Sequence, residues 1–322
     1  MSCYNGSRWL ESAINSVLYQ TLLDFEFIIV DDGSTDNSLD IIKHYAGRDP
    51  RIIVLAKSNT GLTDSLNRGI EIARGEWIAR LDADDICEPT RLEIQLSVAR
   101  NKPDVVFIGS DLIIIDENGN KLKYYHYPVS HKSLLRNLRS SRKFPPHSSA
   151  FFRADVVRSI GGYRPRIKMS QDEDLWLRLS EVGQLASVNE KLVRIRQHGD
   201  QISHDKSGRR QRIYSNVALT SYWLRNYGMD DPVSADGKIF EEFSNYIKEI
   251  MDEEQLHDYM DYISGVKFCL ENIRWHPTDI ISAAEYIFSR PLFVFKYMHI
   301  SIFGKKIAQK AARDWAKRRL DQ

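Results

Sequence analysis

The sequence predicts an α/β fold: a mostly parallel, Rossmann-like sheet flanked by helices, followed by a helical C-terminal region. Three observations lead there. Over residues 1–205, short β-branched runs alternate with helical periodicities, the pattern of a parallel sheet with helices on both faces. Over residues 206–322, strand signals fade and long helical stretches take over, as in "FEEFSNYIKEIMDEEQLHDYMDYISGVKFCLENI". Finally, two acidic clusters each follow a strand signal directly.

The elements come in order. Leu10, Ala13, Ile14, Val17 and Leu18 keep the spacing of one buried helix face. "FEFIIVDD" (25–32) is a β-branched run ending in acids, and reads as a buried strand. "STDNSLDIIKHYA" opens with capping residues and turns apolar-periodic, so it reads as a helix. "RIIVLA" (51–56), "EWIARLD" (76–82) and "DVVFIGS" (104–110) read as further strands. Between the first two of these, "TGLTDSLNRGIEIARG" reads as a helix stopped by Gly75. Ligands of such sheets bind at the carboxyl ends of the strands. Asp31-Asp32 and Asp82-Ala83-Asp84-Asp85 are therefore expected on one edge, facing one crevice.

Composition narrows the function classes. At 322 residues, 42% hydrophobic and 28% charged, the chain can bury a large core, and its length suggests two domains. A net charge of +1 points to no nucleic-acid partner. Cys3, Cys87 and Cys269 are odd in number and far apart, which suggests neither a disulfide framework nor a zinc site and favours a reducing cytoplasm. No apolar run approaches the roughly 18–20 residues of a membrane span, and the polar first residues predict no leader. The stretch 305–319 carries seven Lys or Arg against one acid, Asp314. Its Ile307, Ala311, Ala312 and Trp315 lie near helical spacing. It reads either as a helix on the inner membrane surface or as a solvated tail.

"RLDADD" (80–85) places three aspartates within four positions, where like charges repel. An Asp-x-Asp after a strand suits Mg²⁺ or Mn²⁺, which takes one or two carboxylates and fills its remaining positions with water and substrate phosphate. Alone, the pattern fits an acidic surface turn equally. Its neighbours make a set: "CYNGSRWLESAINSVLYQT", "FEFIIVDDGSTDNS", "NTGLTDSLNRGIEIARGEWIARLDADD", "HSSAFFRADVVRSIGGYR", "SQDEDLWLRLSEVG" and "IRQHGDQIS", in that order.

With these six motifs, residues 1–205 resemble the family 2 inverting glycosyltransferases of bacterial cell-surface polysaccharide type, which have the GT-A fold. The resemblance implies a nucleotide-sugar site formed by Tyr4, Asn5, Asp31, Asp32, Ser34, Asn59, Asp82, Ala83 and Asp84. Within it the acids of "VDDGS" contact the nucleoside, although an acid there could instead cap the next helix. It implies that Asp82 and Asp84, with His198 in reach, hold Mn²⁺ or Mg²⁺ against the diphosphate, and that Asp85 serves the helix after Pro89. The base that takes the acceptor proton falls on Asp172 or Glu173 in "QDEDLWLR", where Gln171 replaces the usual Glu; acids at a helix start could equally complement its dipole. His147, Gly162, Tyr163 and Trp176 fall on the acceptor side, although Trp176 suits core packing better.

The partners implied are a nucleoside-diphosphate sugar and a glycan or lipid-linked acceptor, with one sugar moved per visit. "ENIRW" (271–275) is only a partial match to the family's processive motif. The apolar strand that precedes "YNG" in the family is reduced here to Met1-Ser2-Cys3, so a natural start upstream is expected. Two other readings use the same residues: a sugar-nucleotide nucleotidyltransferase, which wants a Gly-rich basic loop after its first strand, and a non-catalytic sugar-nucleotide-binding protein.

Overall fold

The computed structural model describes residues 1–140, 143–199, 208–226, 228–253, 312, 314 and 315. The chain forms two compact units, Met1–Leu138 with Lys143–His204, and Arg139–Arg142 with Asp205–Gln322.

The first unit is α/β, as the alternating pattern predicts. Strand β1 (Ser2–Cys3) leads into α1 (Ser7–Leu18), β2 (Phe27–Asp31), α2 (Ser38–Ala46), β3 (Ile52–Ala56) and α3 (Leu62–Ile72). The three strands form a parallel sheet in which Cys3 pairs with Asp31 and Asp31 with Ala56. Leu10 and Ile14 of α1 pack on Phe27, Ile29, Ile42 and Ile52. Each such side chain removed from water contributes about 1.5–3 kcal/mol, which holds the strand ends and their acids in place.

Helix α3 stops at Ile72, three residues before Gly75. The Arg158 guanidinium takes the carbonyls of Ile70 and Ala73. Glu26 takes the N–H groups of Arg74 and Gly75 at 2.5 and 3.1 Å. These bonds satisfy the helix end, so no glycine is needed to close it.

Next come β4 (Trp77–Ala79), β5 (Ile86–Cys87), α4 (Arg91–Asn101), β6 (Val105–Ile115), β7 (Lys121–Tyr125), α5 (His131–Leu138), β8 (Phe151–Arg153), α6 (Ala154–Ser159), α7 (Gln171–Val182) and β9 (Gln184–Arg196). A second sheet runs β4-β8-β6-β9-β5, with β7 on β6. Only β6 and β9 pair in parallel there; the other pairs are antiparallel. The parallel pattern therefore belongs to the first sheet. Strand β4 is short because the chain turns out of the sheet at Arg80, and β6 is longer than its sequence signal because "LIII" carries it on to Ile115. A cavity of about 720 Å³ separates β2 from β4, walled by Ile28, Val30, Ile70, Trp77, Ile78 and Phe152. None of Asp31, Asp82 or Asp84 lines it.

The second unit contains α8 (Arg209–Asn226) and α9 (Gly237–Glu253). Arg225 reaches Asp231 at 2.7 Å. Ala312 and Trp315 are buried, and Trp315 packs on Phe243 and Tyr246 with ring centroids 5.2 and 5.5 Å apart. This corrects the membrane-surface reading of 305–319 at the two apolar positions described. Both are covered by protein, because burial against α9 removes them from water as a lipid surface would. The rest of that segment, with Cys269 and "ENIRW", lies outside the described residues. No helix among the described residues is long and apolar enough to cross a membrane.

Candidate active site

The turn between β1 and α1 brings the two acidic clusters to one edge. Its backbone N–H groups bind the loop after β2: Asn5 to Ser34 Oγ at 3.0 Å, Gly6 to Ser38 Oγ at 2.9 Å and Ser7 to Asp36 at 3.1 Å. The Asn5 side chain accepts the Thr35 N–H at 2.8 Å. A Cβ on Gly6 would lie 3.1 Å from Cys3 Sγ, tighter than ordinary contact, and 3.6 Å from Ala83 Cβ, so the turn sits against the end of β1 and beside the second acidic loop. Of the expected donor residues, Asn5 and Ser34 thus hold the loops together, Ala83 packs beside them, and Tyr4 and Asn59 are exposed.

Asp31 and Asp32 are both buried, but they differ in their bonding. Asp32 accepts the N–H groups of Thr60 and Gly61 at 2.9 Å each and pairs with the Lys57 ammonium. Burial works against its charge, yet Lys57 and the two N–H groups hold its carboxyl below the usual range. Asp32 thus caps the chain entering α3, not the helix that follows it in sequence. Asp31 Oδ2 accepts the Ser34 N–H at 3.2 Å, while its buried Oδ1 has no protein partner. An unpaired buried carboxylate oxygen is costly and calls for a donor.

The three aspartates of "RLDADD" go to three different partners. Asp82 pairs with Arg80, which is itself only 4% exposed. Burial opposes the Asp82 charge, but Arg80 outweighs it and holds the carboxyl low. Asp84 meets His198 Nε2 at 2.9 Å. Asp85 is buried between Ser148 Oγ and the Arg196 N–H, the latter at 2.9 Å. This corrects its expected service to the helix after Pro89: Asp85 points across the sheet to β9. Burial, with the Asp82 and Asp84 charges, pushes the Asp85 carboxyl well above its usual range. Ser148 faces both Asp85 and Asp82, the latter at 2.8 Å, with a single hydroxyl proton between them. The repulsion visible in the sequence is thus relieved by Arg80, His198, Ser148 and Arg196.

His198 is held by a stack on Trp9, with ring centroids 4.1 Å apart, and the Arg8 guanidinium lies 4.4 Å over the same indole. Among the described residues no three acids, histidines or cysteines form a ready metal cage. The donor set still suits a hard divalent cation. Asp82 and Asp84 have side chains 38% and 28% exposed, and one or two carboxylates suffice where a diphosphate and water complete the shell.

Asp172 lies in the first turn of α7 with Glu173 and Asp174. Asp174 is fully buried between Arg164 and Arg178 and is structural. Glu173 is half-buried in the same turn. Burial raises the Asp172 carboxyl; N–H groups of its own turn and the Arg80 charge oppose this, while Asp82 adds to it.

His147 Nε2 and the Tyr163 hydroxyl are 2.5 Å apart. Burial pushes the Tyr163 phenol up, and burial with the Arg80 charge pushes the His147 imidazole well below its usual value. Trp176 is 1% exposed and packs on Phe107 at 4.5 Å, which corrects its place on the acceptor side: a buried indole presents no face to a sugar.

Sequence reasoning did not identify Arg80, Ser148, Lys57 or Arg196 as site residues. Arg80 carried a signal, being the one cation directly ahead of the acids. The others are joined to the site by contacts far apart in the chain.

Residues 1–161 match the family described as glycosyl transferase family 2. The amylovoran biosynthesis glycosyltransferase AmsE of Erwinia amylovora is 34% identical over 207 residues, covering 63% of this chain and 77% of that protein. The chondroitin synthase of Pasteurella multocida is 27% identical over 254 residues, 77% of this chain, but the match spans only 26% of the synthase. Among solved structures, S. aureus TarS in complex with UDP-GlcNAc has a TM-score of 0.56 at 16% identity, covering 97% of this chain and 90% of that one. The mannosyltransferase PcManGT of Pyrobaculum calidifontis, in complex with GDP-Man and Mn²⁺, has a TM-score of 0.51 at 14% identity, covering 96% and 85%. Both structures share the fold.

Proposed function

The chain belongs to glycosyl transferase family 2, and on that premise we propose that it moves a single sugar, with inversion, from a nucleoside-diphosphate sugar to a hydroxyl of a glycan or lipid-linked acceptor in surface polysaccharide synthesis. Membership sets aside the nucleotidyltransferase and the non-catalytic binder. The observation that carries the finer reading is that the turn between β1 and α1 touches both acidic loops, the one with the unpaired Asp31 oxygen and the one with the paired carboxylates Asp82 and Asp84.

Asp31 Oδ1 needs an N–H donor. Uracil, thymine and guanine present a ring imide or lactam N–H to it; cytosine and adenine could offer only an exocyclic amine beside a bare ring nitrogen. A uridine, thymidine or guanosine diphosphate sugar is therefore the preferred donor. UDP-GlcNAc and GDP-Man, the ligands of the two structural neighbours, both meet this condition. Asp82 and Asp84 would hold Mn²⁺ or Mg²⁺, which supplies positive charge for the departing diphosphate.

Asp172 is the base, and Glu173 is its neighbour in the turn. The acceptor oxygen bonds to the anomeric carbon, the bond from that carbon to the diphosphate oxygen breaks with its electron pair, and the hydroxyl proton passes to Asp172. A carboxyl raised by burial holds that proton better than an exposed one.

Calorimetric titration with UDP, dTDP, GDP, CDP and ADP, with and without Mn²⁺, tests the reading. Expected is metal-dependent binding of one of the first three, lost in Asp82→Asn/Asp84→Asn. Binding of CDP or ADP in preference would refute the assignment of Asp31.

A further inference from the structure

The two sheets of the first unit end facing one another. Strand β1 is the last strand of one sheet and β4 the last strand of the other, and the cavity of about 720 Å³ lies between β2 and β4. A buried sheet edge without a neighbour is costly, because its N–H and C=O groups lose water and gain no partner.

Both edges turn such groups to the cavity. On β2, Val30 and Asp32 donate to the carbonyls of Met1 and Cys3 at 2.9 and 2.8 Å. Alternate residues of a strand address the same neighbour, so the N–H of Ile28 points the same way, into the cavity that Ile28 lines. On β4, Glu76 and Arg80 bond β8 through Ala154 and Ala150 at 2.9 Å each. Trp77 and Ala79, out of phase with them, turn their backbone groups to the opposite side, and both line the cavity.

The walls suit a strand. Ile70 of α3 and Leu92 of α4 both line the space, so helices cover it as they cover the strands of a parallel sheet. Arg80 Nε, buried on a residue of the lining, has no hydrogen-bond partner and is a donor for a strand carbonyl. The Met1 ammonium donates to the Ile28 carbonyl at 2.9 Å, and burial with the Arg80 charge pushes it down to about 5. A charge is expensive in that place, whereas a peptide N–H makes the same bond without one.

We propose that the cavity is a strand site, filled by an extended apolar stretch of the same polypeptide that runs parallel to β2 into Met1 and joins the two sheets. Ser2 pairs with Val30 and Cys3 with Asp31, which fixes the register and sets the stretch against Ile28, Phe27 and Glu26. That span takes about three to five residues at ~3.3 Å each. A separate peptide would end against the Met1 ammonium; a joined one replaces that charge with an amide and is held at an effective concentration on the order of millimolar. The inference is independent of the glycosyltransfer reading.

The test uses three forms of the whole chain: unextended, with Lys-Val-Ile-Val-Val joined ahead of Met1, and with Gly-Ser-Gly-Ser-Gly joined there. Tm and hydrogen exchange over β2 and β4 are read for each. The acetylated free Lys-Val-Ile-Val-Val peptide and dodecanoate are added separately to the unextended form.

Expected for the apolar extension is a Tm about 5–10 °C above both other forms, with exchange slowed by about 10-fold or more in both strands. Equal Tm for the two extensions, or protection confined to one strand, overturns the joining of the sheets. Equal protection by the free peptide would make the occupant a separate chain and overturn its assignment to this polypeptide. Stabilisation by dodecanoate with none from the apolar extension would make the cavity a lipid-tail pocket and refute the strand.

Discussion

The acids after β2 and the acids after β4 solve the same problem in different ways. Asp31 and Asp32 are adjacent and equally buried, yet one is saturated by Lys57, Thr60 and Gly61 while the other keeps an empty oxygen. Asp82, Asp84 and Asp85 each have protein partners: Arg80 for Asp82, His198 for Asp84, a backbone N–H for Asp85, and Ser148 shared by Asp82 and Asp85. In the first cluster a single acid is left to read a ligand. In the second, the charge is balanced internally beforehand, so a divalent cation entering there competes with Arg80 and His198. An acidic motif is therefore not a uniform block of ligands; the partners decide which oxygens are available.

The largest effect is expected at neither cluster but opposite them. Asp172→Asn should lower transfer by about 10²–10⁴-fold, the usual contribution of a general base, with diphosphate affinity unchanged. A loss of binding in parallel would move Asp172 from chemistry to the donor site.

The first cluster is split by two substitutions. Asp32→Asn takes one of its two carboxylates from the Lys57 ammonium, whose side chain is 16% exposed and which keeps Asp64 at 3.2 Å. It should cost about 2–3 kcal/mol, less than the 3–5 of a fully buried pair, seen as a fall in Tm. Asp31→Asn should leave Tm unchanged or slightly raised but weaken diphosphate binding by about 1.5–3 kcal/mol, the worth of a charged hydrogen bond. Equal behaviour of the two variants would erase the distinction. The same pair predicts a pH effect. The Asp32 carboxyl lies low in the folded chain, so its stabilisation is present above the unfolded carboxylate value of about 3.9. It is lost as pH falls through the folded value. The acid limb of a Tm-against-pH curve should therefore flatten in Asp32→Asn.

The smallest effect sharpens the second cluster. The Asp85 carboxyl is raised in the folded chain, so its contribution is full below the unfolded value and is lost as pH rises through the folded one. Asp85→Asn mimics the protonated form. It should match wild type near pH 4 and exceed its stability at pH 8 by about 1 kcal/mol, the size of one hydrogen-bond rearrangement, seen as a higher Tm. A lower Tm at pH 8 would show that the ionised form is the one the fold wants.

Much of this was legible beforehand. Alternation of strand and helix signals located β2, β3, β4 and β6; Asp31 sits at the end of a parallel strand as expected, whereas the second cluster follows β4, which pairs antiparallel in the other sheet. Periodicity and local motifs do not encode which polar group meets which across a hundred residues. Asn67 looks like an ordinary polar helix position until Gly162 comes against it, and Ser148 looks like a loop serine until Asp82 and Asp85 share it. Trp176 fails as an acceptor platform for a related reason: the same aromatic letter serves a core and a sugar site, and only burial separates them.

The stack of Trp9 on His198 also has an optical meaning. Trp176 is buried against Phe107 and the partly buried Trp77 stacks on Phe151, whereas Trp9, also partly buried, lies one residue away from the Asp84 carboxylate by way of the imidazole. An imidazole and a guanidinium in contact with an indole alter its emission, and any ligand that draws His198 away from Trp9 changes that contact. The protein thus carries its own fluorophore at the edge of the acids, and a Trp9→Phe variant subtracts its signal from the rest.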